Sequence, residues 1–345
     1  MKKGDIIDLP QLAEARGLPD GEFVVGDVFG GGMGTCLKVT HPTCRSAFAV
    51  KIIHSYLLGS DSAWLRFIEE LKLWFVLSES TGIVEAICLA RLNEVPCMCS
   101  PWMQGGTLRD KMTAKALTPK ALLDSLCRVL HTLNWVHKKY KTIHRDLKPE
   151  NILFDEHDRA YISDWGLAKL CGEQMGKVVG DKQDFVAQNP ALTQTGSFLG
   201  TVMYASPEQI QGQGKIDHRS DIYSLGCMMY EMETGHPPFD GRTVFEIAKQ
   251  HLRSVPPRLG GLFRRTTLGL ESVIERCLKK CPQDRYQDYD ELLADVVRVC
   301  SRRGGYIPSD CPPPRAYRPV PGVDEFRKMF LSKMLKEGEK IGVVK

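Results

Sequence analysis

The character of this sequence changes at Gly105-Gly106, and that change bounds the fold. From Glu22 to Ile53, and again over 83–103, apolar and β-branched residues alternate with the period of half-buried strands. One helix is expected inside this part, over 62–78. Ser60-Asp61-Ser62 offers its caps, and Trp64, Ile68, Leu71 and Phe75 share a face. Past Gly106 the period becomes helical. Thr118-Pro119 opens a helix that runs to Trp135, with proline at the first helical position, and others are expected over 221–233, 243–253, 270–280 and 288–302. Strands first and helices afterwards is an α+β organisation, not a series of alternating βα units. Residues 1–21, broken by Pro10, Gly17, Pro19 and Gly21, read as a lead-in. The proline-rich stretch 307–321 reads as an extended linker. After it Phe326, Met329, Phe330 and Met334 line one face of a short helix over 324–337, with lysines on the other face; docking on the body of the protein is expected for it, with binding to a partner or a membrane surface as the alternative. No internal repeat is present.

Composition excludes some classes. A net charge of +4 over 345 residues is too small to mark nucleic acid as the main partner. No apolar run reaches the ~18 residues that span a bilayer. The start Met1-Lys2-Lys3 continues through Gly4, Asp5 and Asp8 without the apolar core of a leader. The twelve cysteines form no C-x-x-C pair, which argues against a structural zinc site. The expectation is reduced thiols in a cytoplasmic protein.

The richest chemistry lies in Ile143-His144-Arg145-Asp146-Leu147-Lys148-Pro149-Glu150-Asn151-Ile152-Leu153. Moving a phosphoryl group asks little covalent chemistry of a protein. It asks for an acceptor near the attacking hydroxyl, metal ligands, and positive charge over the phosphate. Asp146, Lys148 and Asn151 supply a carboxylate, an ammonium and an amide oxygen in one short loop. Downstream, Asp164-Trp165-Gly166 ends an apolar stretch with a carboxylate beside a large anchor. Alone it is a plain turn; at this distance from Asp146 it is a candidate metal ligand. Upstream, Ala49-Val50-Lys51 puts a lysine at the end of an apolar strand. Glu70, on a helix stripe with Phe67 and Trp74, is placed to pair with it.

From Glu22 to Arg302 the chain resembles a eukaryotic-like (Hanks-type) serine/threonine protein kinase, in wording like the bacterial members. Besides the strings above, the resemblance rests on Gly31-Gly32-Met33-Gly34, Gly200-Thr201, Tyr204-Ala205-Ser206-Pro207-Glu208, Asp221-Ile222-Tyr223-Ser224-Leu225-Gly226, Pro237-Pro238-Phe239 and Arg285. It implies a bilobal fold: a strand-rich N-lobe over about 22–101, a hinge over about 100–104 and a helical C-lobe over about 105–302, with 303–345 as linker and short helix. It implies ATP and Mg²⁺, with Mn²⁺ as an alternative, and protein substrates; the oligomeric state is left open. By the same resemblance Asp146 orients the substrate hydroxyl, Lys148 steadies the γ-phosphate, and Asn151 and Asp164 bind the metal. Lys51 holds the α- and β-phosphates with Glu70 behind it. Glu208 pairs with Arg285, and Asp221 braces the catalytic loop. Lysine two places after Asp146, with Thr201 beside both, is the serine/threonine pattern.

The chain departs from that pattern in places. Alignment from Lys51 makes Gly34 and Gly31 the third and second glycines of the nucleotide loop and puts Phe29 at the first, with Gly30 able to serve by a one-residue slip. Cys36 stands where valine usually covers the adenine. The expected ATP-binding stretch is therefore Val28, Phe29, Gly30, Gly31, Gly32, Met33, Gly34 and Cys36, with Ala49, and nucleotide binding is expected to be weakened or unusual. Ser100 is placed at the gatekeeper. Pro101 keeps only its carbonyl for the adenine, and Met103 supplies the N–H. The long segment between Asp164 and Glu208 carries Thr193, Thr195 and Ser197, and a phosphate there is expected to pair with Arg145. A pseudokinase scaffold is the alternative, favoured by Phe29 and Cys36. A small-molecule phosphotransferase is disfavoured by residues 200–208, which shape a peptide site.

Overall fold

The structure, a computed structural model, describes residues 1–30, 34–53, 72–78, 80, 82–93, 95–165, 200–212, 216–259 and 269–302. These fall into two compact units. The described residues of the first lie within Met1–Gly59 and Glu85–Trp102, and those of the second within Ser60–Val84 and Met103–Arg315. Gly31, Gly32, Met33, Glu70, Thr193, Thr195, Ser197, the linker 307–321 and the helix expected over 324–337 lie outside the described residues.

The first unit contains β1 (Ile6–Asp8), α1 (Pro10–Arg16), β2 (Glu22–Gly30), β3 (Gly34–Thr40), β4 (Ala47–Ile53), β5 (Cys88–Leu92) and β6 (Val95–Pro101). The strands form one sheet in the order β1-β2-β3-β4-β6-β5, and every neighbouring pair is antiparallel. Leu37, Val50 and Cys99 are cross-strand neighbours and face a buried core, closed by Leu9 and Leu12 at the start of α1. Each leucine buried this way contributes roughly 1.5–3 kcal/mol. Because side chains alternate along a strand, the next register positions face the other way. That opposite face carries Cys36, Lys51 and Met98, with Ala49 beside Ser100.

Residues 1–21, expected as a lead-in, contain regular structure. β1 adds a strand to the sheet by pairing Ile6 with Val24, and α1 caps its core. A strand of three residues and a helix of seven are too short to show a period. Their start and stop signals are nonetheless written in the chain: Pro10 opens α1, and Gly17, left-handed at φ 62°, ends it.

The second unit holds β7 (Gly106–Thr107), α2 (Leu108–Thr113), α3 (Pro119–Tyr140), β8 (Ile152–Phe154), β9 (Ala160–Ile162), α4 (Pro207–Gln211), α5 (His218–Thr234), α6 (Val244–Arg253), α7 (Glu271–Cys277) and α8 (Tyr289–Arg302). α3 starts where expected, the Thr118 hydroxyl accepting from Ala121 N–H at 3.2 Å. α5 is buried on all sides, the mark of a central helix rather than an amphipathic one. Gly226 in it is required, because a Cβ there would lie 2.6 Å from Cys277 Cβ of α7.

Residues 72–77 are helical, in line with the end of the helix expected over 62–78. The sequence reading puts this stretch in the strand-rich lobe, but it groups with the second unit. Trp74 Nε1 donates to Val84 O at 2.9 Å, and Val84 N–H donates to Ile162 O of β9 at 2.9 Å. Gly82, between them, lets the chain pass close to α3: a Cβ would fall 1.9 Å from Thr132 Oγ1.

α6 docks on α5 through His251, which is fully buried and 2.9 Å from the Tyr223 hydroxyl. Burial, then the nearby Lys280 ammonium, pushes its imidazole down to about 3. Below its ordinary pKa of about 6.5 the unfolded chain takes up a proton that the folded chain refuses, so stability rises with pH across this window. Between pH 7 and pH 5 His251 is expected to cost the fold roughly 2 kcal/mol. Urea unfolding of wild type and His251→Asn, which keeps a polar group near Tyr223, checks this. The wild-type stability should fall more steeply towards pH 5; parallel pH profiles would refute it.

Candidate active site

The loop from α3 to β8 is held from beneath by one carboxylate. Asp221 of α5 is fully buried and accepts the backbone N–H of His144 at 2.7 Å and of Arg145 at 2.8 Å, and the Tyr289 hydroxyl at 3.1 Å. Arg145 is thereby kept at φ 72°, a left-handed conformation costly for a side chain of its size. His144 has its tautomer set by its neighbours. Asp146 N–H can only donate, to Nδ1 at 3.2 Å, so Nε2 carries the proton and donates to Ser163 O at 2.9 Å. That bond ties the loop to the residue before Asp164. Ser163 returns its own N–H and hydroxyl to Asn151 O at 2.9 and 3.1 Å. Trp165 is buried edge-on against His144, with centroids 4.9 Å apart, and anchors the chain just past Asp164. Asp164 itself is half-buried and left-handed at φ 57°.

Asp146 sits at the centre, only 5% exposed. Lys148 Nζ donates to its Oδ2 at 2.8 Å and to Thr201 Oγ1 at 2.7 Å. Asn151 Nδ2 donates to the Asp146 carbonyl at 2.8 Å and to Oδ2 at 3.1 Å. Two consequences follow. The amide nitrogen of Asn151 is committed, so its oxygen is the atom directed to another partner. Burial alone would strip the proton from Lys148, but the Asp146 carboxylate outweighs it, with Glu150 and Asp164 adding, and the ammonium is held more firmly than usual. A carboxylate, a fixed cation and a hydroxyl thus converge.

The donor set fits a hard divalent ion. The Asn151 amide oxygen and Asp164 carboxylate are oxygen ligands of the kind Mg²⁺ takes alongside substrate phosphates. Among the described residues no cluster of three or more His, Cys, Asp or Glu forms an all-protein metal cage.

Around this centre lie two ionic supports. Ser206 caps α4, and Gln209 Nε2 donates to Arg145 O at 2.7 Å, joining α4 to the loop. Glu208 of α4 meets Arg285 in a two-pronged pair at 2.8 and 2.9 Å, and Arg285 is fully buried. The second support was not foreseen from the sequence. Arg109 of α2 donates to Glu150 Oε1 at 2.8 Å and to the buried Glu231 of α5, and the Tyr204 hydroxyl also donates to Glu231. Burial and then Glu231 push the Tyr204 phenol up, so it stays a donor. Up to 122 residues separate these partners, and no local signal in the chain announces them.

In the first unit, Lys51 on β4 stands opposite Cys36 of β3 and Met98 of β6, and Ala49 stands opposite Ser100. Ser100 is 9% exposed; Pro101 ends β6, and Trp102 N–H donates to Ala47 O at 3.2 Å. Phe29 and Gly30 close β2 opposite Cys36 and Thr35, with Val28 before them opposite Leu37. A Cβ at Gly30 would meet nothing within 4 Å, so this glycine is not forced by packing. Met103 belongs to the second unit, where its carbonyl accepts Gly106 N–H at 3.3 Å.

Comparison with known proteins gives a consistent picture. The protein kinase domain family matches residues 24–296. The serine/threonine-protein kinase PknB of Mycobacterium leprae is 31% identical over 288 residues, covering 81% of this chain and 43% of the relative. PknB of Mycobacterium tuberculosis is 32% identical over 286 residues, covering 80% and 42%. The chain thus spans less than half the length of these relatives. The crystal structure of the M. tuberculosis PknI kinase domain superposes with a TM-score of 0.56 at 20% identity, covering 81% of this chain and 96% of that one.

Proposed function

This chain belongs to the protein kinase family, and on that premise we propose that it transfers the γ-phosphate of ATP to serine or threonine hydroxyls of protein substrates. The observation that carries the reading is the cluster at Asp146: a carboxylate fixed by Lys148 and Asn151, with Thr201 on the same ammonium. Asp146 orients the incoming hydroxyl and receives its proton. Lys148, kept charged, steadies the transferred phosphoryl group. Asn151 and Asp164 would hold Mg²⁺, which would supply neutralisation of the phosphate charge, and Mn²⁺ suits the same oxygens. Lys51 holds the α- and β-phosphates. The Pro101 carbonyl and the Met103 N–H take the adenine, and the small Ser100 leaves room behind it.

A phosphate on Thr193, Thr195 or Ser197 adds about −2 of charge near Arg145 and regulates the enzyme. No described helix is long and apolar enough to cross a membrane. The cysteine-rich but C-x-x-C-free sequence is read as carrying reduced thiols in a cytoplasmic setting.

The test is incubation of the purified chain with Mg²⁺ and γ-labelled ATP, beside Asp164→Ala. Wild type should label serine or threonine on itself or on a basic protein, and peptide mapping of the label reads out the 193–197 sites. Asp164→Ala should lose the label, as should omission of the metal. Nucleotide binding without transfer would favour the scaffold instead. An ATP analogue lacking the 6-amino group should compete poorly if the Pro101 carbonyl accepts from it.

A further inference from the structure

One aromatic contact in the first unit is not required by phosphoryl transfer. Phe29 occupies the position where the kinase pattern has its first glycine. Its ring is 47% exposed, yet it stacks on Trp102, with centroids 5.7 Å apart and planes inclined by 23°. Lys38 Nζ lies 5.0 Å over the same indole, adding a cation to the ring face. Phe29 pairs in register with Cys36, and Cys36 with Lys51, so Phe29 points to the face that carries Lys51. β3 and β4 separate β2 from β6 in the sheet. The two rings therefore reach across that face and join the strand entering the glycine-rich turn to the residue just after β6. A glycine at position 29 makes no such contact.

We propose that Phe29 and Trp102 form an aromatic latch across the face of the sheet that carries Lys51, which pins the end of β2 there and slows release of a bound purine nucleotide. This rests on the nucleotide-binding reading above. Phe29 is a positioning residue that acts through Trp102, and Lys38 holds the indole in place. The stack ties the end of β2 to the residue after β6, a contact that a glycine at position 29 lacks.

The experiment is stopped-flow release of a fluorescent ADP (methylanthraniloyl-ADP) from the full chain, with KM for ATP and kcat measured in parallel. It compares wild type with Phe29→Leu, Trp102→Leu, the double variant and Phe29→Tyr. Each leucine variant should release the nucleotide about 3- to 10-fold faster and raise KM by a similar factor, with no matching fall in kcat. The double variant should be no worse than either single one, and Phe29→Tyr should restore slow release. Both side chains are only partly buried, so thermal melts should match wild type. Unchanged release in Phe29→Leu, or effects that multiply in the double variant, would overturn the latch while leaving the kinase reading intact. A wild-type chain that binds no fluorescent ADP would overturn both.

Discussion

Asp146→Asn should lower kcat by about 10²- to 10⁴-fold while changing KM for ATP far less. The substitution preserves shape and removes the charge. In wild type, Oδ2 of Asp146 accepts from both Lys148 Nζ and Asn151 Nδ2. An asparagine offers one oxygen and one NH₂ group, so it can satisfy those donors only by turning its NH₂ towards the substrate hydroxyl. A donor there cannot take the hydroxyl proton. Lys148 also loses the partner that chiefly offsets the cost of its burial, so part of the damage runs through a weaker ammonium. On the proposed reading ATP is held by other groups, which predicts a kcat effect rather than a KM effect. Initial rates over an ATP titration measure the split. A variant that keeps about a tenth or more of wild-type kcat would mean that Asp146 is not the group receiving the proton.

Arg285→Ala should cost the fold roughly 3–5 kcal/mol at neutral pH. Every N–H of the guanidinium is used: two face Glu208, and the others reach the carbonyls of Lys279, Arg219 and Lys280 at 2.8–2.9 Å. The face of the group lies 4.9 Å from the Tyr223 ring. Truncation leaves the carboxylate with Ser220, at 2.6 Å, as its remaining side-chain partner and takes a donor from three carbonyls. Burial pushes the Glu208 carboxyl up, but the Arg285 bonds outweigh it and hold it below its usual range. A carboxyl depressed in the folded state stabilises above its unfolded pKa of about 4.3, and that stability is lost as pH falls through the folded value. The gap between wild type and Arg285→Ala should therefore be widest near pH 7 and shrink in acid. Urea unfolding at several pH values reads it, and a gap that widens in acid would contradict the assignment. Glu208 lies on α4, just past Thr201 in the chain, so lost phosphoryl transfer should accompany lost stability.

Some of this was legible along the chain. Asp146, Lys148 and Asn151 are close enough in sequence that a single loop must bring their side chains together, so their order already implies their chemistry. Thr118-Pro119 carries a cap and a fixed φ, which are local properties, and α3 begins there. α8 showed itself because a long amphipathic element repeats its period. β1 and α1 did not, because a strand of three residues and a helix of seven hold less than a readable repeat, even though Pro10 and Gly17 bracket the helix.

What remained was decided by approach through space. Asp221 binds the N–H groups of His144 and Arg145 from 77 and 76 residues away, and no pattern in either segment specifies that meeting. Arg109 finds Glu150, Tyr204 and Glu231 only because α2, the catalytic loop and α5 converge on one another. Phe29 looked like a defect in a glycine motif until the sheet brought it onto Trp102. Reactive groups that are neighbours in the chain are determined by the sequence itself. The contacts that orient those groups join distant segments, and only the packed chain makes them.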